Sequence, residues 1–271
     1  MFKNITFFKV PESPGVPGGA ELATLSPVGP MELTSVGLVP VNAEGDLCPT
    51  VEGALHLRVG FEKKKLPASA IDRKLKEIER RDGVELRGRA RKAARDEVIT
   101  QMLPNAPVAT SGVEVIIYPD GLIALNTASR GAAEQTISFL RGLYGSLPAV
   151  PLQSKVDPAG VLTDWLRHAA PEGTSLGDDA WLYDGVGTAK LKGVELDSEP
   201  VQMHLEHGAF AERVRLLAEG FAATICDDMV VRKLVVETDA DAESAFEADA
   251  LITRAAVRDV FVLLVEEFKV S

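Results

Sequence analysis

The chain has 271 residues, 46% of them hydrophobic, which is enough to bury a substantial core and excludes disorder of the whole chain. Its formal net charge of −11 argues at first against nucleic acid, because phosphate binding rests on Lys and Arg. The distribution of charge reverses that inference: residues 61–97 hold 13 of the 29 basic residues against 8 acidic ones, so the rest of the chain is strongly anionic.

The opening decapeptide MFKNITFFKV has a short apolar patch interrupted by Lys9 and followed by prolines, so neither a signal peptide nor a membrane span is expected. Cys48 and Cys226 are the only cysteines. Two thiols so far apart in sequence read as reduced thiols of a cytoplasmic protein.

In chain order, residues 3–10 read as a strand, and residues 11–30 are too rich in Pro and Gly for helix or strand to persist. Partial alternation over Gly53–Glu62 predicts a second strand. From Pro67 to Arg81 the apolar Ile71, Leu75 and Ile78 fall at i, i+4 and i+7, giving a helix with a narrow buried stripe that ends at Asp82-Gly83. A second helix is expected over Leu86–Leu103, stopped by Pro104. Steps of about 100° put Arg87, Arg91 and Arg95 on one of its stripes, with Lys92 and Arg89 on the flank, and the same stripe runs on into Val98 and Met102. These two helices form an αα-hairpin whose apolar base packs in the body and whose charged tip projects.

Residues 112–118 and 122–127 read as strands joined by the Pro119-Asp120-Gly121 turn, followed by a helix over Ala132–Tyr144 closed by Gly145. Residues 147–152 form at most an edge strand because of Pro148 and Pro151. A short helix over Val161–His168 carries Trp165, and Leu196–Gly208 ends in a helix. Residues 210–220 and 222–225 are apolar and ambiguous between helix and strand, and Met229–Glu237 reads as a strand after an Asp227-Asp228 turn. Residues 245–268 carry a long helical pattern through Leu251, Ala255, Val262 and Val265. The class is α+β with mostly antiparallel sheets, packed helices and a projecting basic αα-hairpin. The expected division is a central body of 1–62 and 112–190, a finger of 63–111 and a C-terminal part of 191–271.

The candidate chemistry follows from the basic segment. Arg73, Lys74, Lys76, Arg80, Arg81, Arg87, Arg89, Arg91, Lys92 and Arg95, with Lys63, Lys64 and Lys65 ahead of the first helix, point to phosphate contact. A solvated charged hairpin is the competing reading, since Asp72, Glu77, Glu79 and Asp82 supply helix pairs. Neither a zinc finger nor a helix-turn-helix is recognisable, so duplex binding without sequence preference is expected. His204-x-x-His207 lacks the spacing of a metalloprotease helix and a third ligand. The pairs Asp178-Asp179 and Asp227-Asp228 raise a metal-dependent exonuclease as an alternative, but neighbouring carboxylates on a strand point to opposite faces. A second alternative is an acidic module that docks on a recombinase. Gly145-Ser146 reads as a helix cap, and Trp165 and Trp181 as core or interface anchors.

Several strings in order resemble the RdgC family: Phe2-Lys3-Asn4, Lys64-Lys65-Leu66-Pro67, Asp96-Glu97-Val98, the run from Gly145 to Leu152, Leu162-Thr163-Asp164-Trp165 and Cys226-Asp227-Asp228. The resemblance covers nearly the whole chain, and the Gly-Ser-Leu-Pro-x-Val-Pro-Leu run is its most specific part. It implies a ring-shaped homodimer encircling double-stranded DNA through a basic hole, nucleoid association and restraint of RecA-type strand exchange; from the residues, no catalytic group, cofactor or metal is expected. By the same resemblance Lys192 is carried over as a DNA contact from the basic hinge segment. Two departures stand out. The chain is shorter and richer in Pro and Gly between Pro11 and Pro40, and Leu103-Pro104-Asn105-Ala106-Pro107 stands where relatives carry Arg and an aromatic, so a wedge or stacking contact there does not carry over from the resemblance.

Overall fold

The computed structural model describes residues 2–19, 23–236 and 246–270. In chain order the elements are β1 (Thr6–Lys9), β2 (Thr34–Leu38), β3 (Thr50–Val51), β4 (Ala54–Lys64), α1 (Ala68–Asp82), α2 (Gly88–Met102), β5 (Val108–Ile117), β6 (Leu122–Leu125), α3 (Arg130–Tyr144), β7 (Val150–Pro151), α4 (Pro158–Arg167), β8 (Thr174–Tyr183), β9 (Thr188–Lys192), α5 (Glu199–Glu206), β10 (Phe210–Ala218), β11 (Phe221–Cys226), β12 (Val231–Val236) and α6 (Phe246–Phe268). A single 3-10 turn, Leu103–Asn105, follows α2. The architecture is α+β with antiparallel sheets and six helices, as the sequence predicts. Two compact units divide the chain: residues 1–19, 40–57 and 113–271 form one, and residues 20–39 and 58–112 the other.

The larger unit holds two sheets around one core. In the first, β5, β6, β1 and β7 lie side by side, with Phe7 opposite Ala124 and Phe8 opposite both Ile123 and Pro151. The β5–β6 turn is the expected Pro-Asp-Gly hairpin. Gly121 sits there at φ 81°, and a Cβ on it would come within 2.3 Å of the Val10 carbonyl oxygen, so only glycine fits. The second sheet runs β12-β11-β10-β8-β9. Residues 210–225, ambiguous from their continuous apolar character, are β10 and β11, and burial on the core side of the sheet decides the ambiguity. Helices α4 and α6 fill the core between side chains of both sheets: Phe7 packs on Phe261 at 5.7 Å and Trp165 edge-on against Phe268 at 5.6 Å.

The core helices follow their local signals. Ser129 caps α3 by accepting from the Ala132 N–H, and Gly145 closes it in the left-handed conformation. Asp157 caps α4, with Pro158 in its first turn. Thr163 donates within its own helix to the Ala159 carbonyl and accepts from the Ala211 N–H, tying α4 to β10. One expectation is corrected in α6: Leu251, Ala255 and Val262 are exposed, and the buried face instead carries Ala250, Thr253, Val257, Val260, Phe261, Leu264 and Phe268. This helix is apolar around most of its circumference, so periodicity leaves its inward face open and the packing of Phe261 and Phe268 chooses it.

In the smaller unit β2 pairs antiparallel with β4, Thr34 opposite Lys63 through Leu38 opposite Val59, and β4 neighbours β5. Among the described residues the Pro/Gly-rich segment before β2 forms no α-helix and no named strand, and its Thr24 bridges to Leu38. Gly37 permits that approach, since a Cβ there would fall 2.4 Å from the Leu25 nitrogen.

Candidate nucleic-acid interface

Helices α1 and α2 exist because a small apolar seam joins them: Ile71, Leu75 and Val98 are buried, flanked by Ile78, Leu86, Ala94 and Ile99. Gly83 ends α1 at φ 65° with its N–H on the Glu79 carbonyl. The Glu79 carboxylate then accepts from the Leu86 N–H at 2.9 Å and fixes the connection into α2. That seam uses one stripe of each helix, so the other faces are left to charged side chains.

The expected cations fall into four groups. Arg73, Lys76 and Arg80 lie on the face of α1 opposite the Ile71/Leu75 stripe, and Arg89 and Lys92 point away from Val98 on α2. These five, with Lys63, Lys65, Lys74 and Arg95, are exposed and form no salt bridge among the described residues. Arg81 and Arg87 are exposed but bonded to neighbouring carboxylates, Asp82 at 2.7 Å and Glu85 at 2.6 Å.

Arg91 departs from the expected ligand-facing stripe. Because it shares a stripe with Val98, it turns toward α1, where its guanidinium lies 3.8 Å from both Asp72 and Glu79. Arg87 also leaves the stripe, since its backbone is extended at φ −131° and the helix starts at Gly88. Exposed pairs of this kind are weak and screened by solvent, so they position the side chains without removing their charge from solution.

Lys64 is the fourth case and a correction. It is buried, and its ammonium donates to the Gly29 and Pro30 carbonyls at 2.7 and 2.6 Å. Together with Glu62, which accepts from the Val28 N–H, it staples the Pro/Gly segment to β4 and is not available to a phosphate. The only sequence signal for this was the neighbouring prolines, whose carbonyls lack the partners that a regular element would supply.

Lys192 belongs to the larger unit, exposed at the end of β9 opposite Asp179. Leu103 in the turn after α2 is buried, and the Pro107 carbonyl accepts from the Lys65 N–H at 2.8 Å. Of the acidic pairs, Asp179 is engaged by Lys233 and Asp228 by Arg232. Burial and the nearby Asp228 and Glu212 charges hold the Asp227 carboxyl above its ordinary range. Among the described residues no three His, Cys, Asp or Glu side chains are grouped to hold a metal ion, and His207 is bonded through Nδ1 to the Met203 carbonyl at 2.6 Å. No helix among them is long and apolar enough to cross a membrane.

Fold and site define an α+β protein of antiparallel sheets with a group of exposed cations on α1 and α2. The sequence model of the family described as "Putative exonuclease, RdgC" matches residues 1–271. The chain is 34% identical to the recombination-associated protein RdgC of Xanthomonas oryzae pv. oryzae over 297 aligned residues, covering 100% of this chain and 99% of that protein. The namesake of Stenotrophomonas maltophilia is likewise 34% identical, with the same coverage, and that of Xanthomonas campestris pv. campestris is 33% identical, covering 100% and 98%. The chain therefore belongs to the RdgC family. The alignments are longer than the chain itself, so these relatives carry residues that it lacks.

Proposed function

We propose that this protein binds double-stranded DNA without sequence preference through α1 and α2, as a ring-shaped homodimer that encloses the duplex. In this reading it is a nucleoid-associated, non-enzymatic modulator of homologous recombination that restrains RecA-type strand exchange. The observation that carries DNA contact is the ridge of exposed cations Arg73, Lys76 and Arg80, with Arg89 and Lys92 on the adjoining helix, that form no salt bridge among the described residues. The remainder of the chain is anionic on balance, which favours phosphate approach to this element. Ring closure and the RecA antagonism come with the family resemblance, as does the part given to Lys192.

The test is fluorescence anisotropy of labelled duplexes of unrelated sequence over a salt series, alongside a solution mass. Replacing Arg73, Lys76 and Arg80 by Gln should weaken binding to every duplex alike and reduce the slope of log K against log salt by about 2.7, at about 0.9 per phosphate contact. Equal affinity and slope in the triple variant would remove the helices from the mechanism. Retention on closed circles with loss from linear ends supports enclosure. Shortening of the duplex with Mg²⁺ but not with chelator would replace the reading by the exonuclease one.

A further inference from the structure

The solvent face of the second sheet carries a second concentration of positive charge, organised around a tryptophan. Trp181 is half-buried on β8, and its neighbours Ala180 and Leu182 point into the core, so the indole lies on the opposite face. Directly across from it are Lys190 on β9 and Arg213 on β10. Both turn onto the ring: the Lys190 ammonium is 4.1 Å and the Arg213 guanidinium carbon 3.7 Å from its centroid. Neither forms a salt bridge among the described residues.

Of the carboxylates nearby, Asp227 is acted on by the Arg213 charge, and three others are engaged by different groups. Asp179 is held by Lys233, Asp228 by Arg232, and Glu212 accepts from the Thr188 hydroxyl at 3.3 Å. Arg215 is fixed by a hydrogen bond to the Lys233 carbonyl at 2.6 Å, and in the paired register it lies across from Thr224, which in turn lies across from Arg232. One row of the sheet is thus Lys190–Trp181–Arg213, and beside it runs Arg215–Thr224–Arg232.

We propose that this face is a second contact for the duplex backbone, with Lys190 and Arg213 as phosphate ligands and Trp181 as the residue that positions them. This rests on the DNA-binding reading above and adds a surface outside α1 and α2. A long cationic side chain normally loses much rotamer freedom when it grips a phosphate, and a ring that already holds it extended lowers that loss. An arginine stacked on an aromatic keeps its in-plane N–H groups free for a bidentate grip on phosphate oxygens. Because cations already occupy the indole, the tryptophan serves the phosphate ligands and not a stacked base. In a molecule of net charge −11, two neighbouring cations, Lys190 and Arg213, that form no salt bridge among the described residues complement a polyanion.

The experiment uses the full chain and a blunt duplex. Lys190→Gln with Arg213→Gln should reduce the slope of log K against log salt by about 1.8, equally for unrelated sequences. The chain has only two tryptophans, and Trp165 is in the core, bonded to Glu267 at 3.0 Å. Duplex addition should therefore change the tryptophan fluorescence, and Trp181→Phe should abolish that change while its melting temperature shows the fold intact. If the wild type binds duplex but neither slope nor fluorescence responds, the proposal fails while DNA binding through α1 and α2 stands. If the wild type binds no duplex, both readings fail. A fluorescence response to polyglutamate but not to duplex would also overturn the proposal, by making this a protein-docking face.

Discussion

At the scale of single residues, environment matters more than residue type. His56 is buried near the start of β4, its ring edge-on to Phe246 at 5.9 Å, and burial together with the Arg254 charge holds its pKa down from 6.5 to about 4, against the opposing pull of Glu114. The unfolded chain takes up a proton near pH 6.5 and the folded chain does not until about 4. Stability is therefore full above about pH 6.5 and falls as pH drops toward 4, by at most about 3 kcal/mol. Urea unfolding at pH 7.5 and pH 4.5 should show that loss, and His56→Gln should flatten it. The same dependence on surroundings separates Lys64 from Lys63 and Lys65. Three consecutive lysines are alike in sequence, but alternation along β4 and the carbonyls of Gly29 and Pro30 take the middle one out of solvent.

At the scale of elements, the basic helices hold together through very little apolar surface. The seam has three buried side chains, so Leu75→Ala removes a large part of it at a cost of about 2–3 kcal/mol. The loss should be local: amide exchange over Ala68–Met102 should quicken while α4 and α6 of the larger unit keep their protection. The existence of both helices was legible from Ile71, Leu75 and the stop at Pro104, and so was the β5–β6 turn. The inward face of α6 was not, because an almost uniformly apolar helix has no contrast for periodicity to read. Strands β2 and β8 were missed for a related reason: Gly37, Gly177, Asp178 and Asp179 have poor strand propensity, and it is pairing with β4 and β10 that makes these segments extended. The register shift opposite Asp178 and Asp179 is where β8 absorbs its irregular residues.

At the scale of the whole molecule, charge is segregated by sequence segment. The chain leaves β4 at Lys64 and returns to β5 at Val108, and the Lys65 N–H donates to the Pro107 carbonyl, so the two ends of the helical insertion are adjacent. Replacing residues 66–106 by an Asn-Gly turn should close β4 onto β5 as a hairpin and leave the larger unit folded. In the DNA-binding reading this variant loses most of its affinity for duplex, because the remaining chain carries more acidic than basic residues by a wide margin. Circular dichroism, melting temperature and anisotropy on one preparation check both halves of the prediction.

The sequence by itself determined the α+β class, the segment that bears the positive charge, the caps and turns at Gly83, Gly121 and Gly145, and the family. These are local or cumulative properties, set by composition, backbone allowance and short-range periodicity. Only the tertiary structure decided which cations remain free, that Arg91 is drawn to Asp72 and Glu79, that Lys64 is sealed under the Pro/Gly segment, and that Trp181 gathers Lys190 and Arg213 from two other strands. A side chain's charge is written in its identity, but its partners come from residues far away in the chain, and pairing across a sheet or between helices is what brings them within a few ångströms.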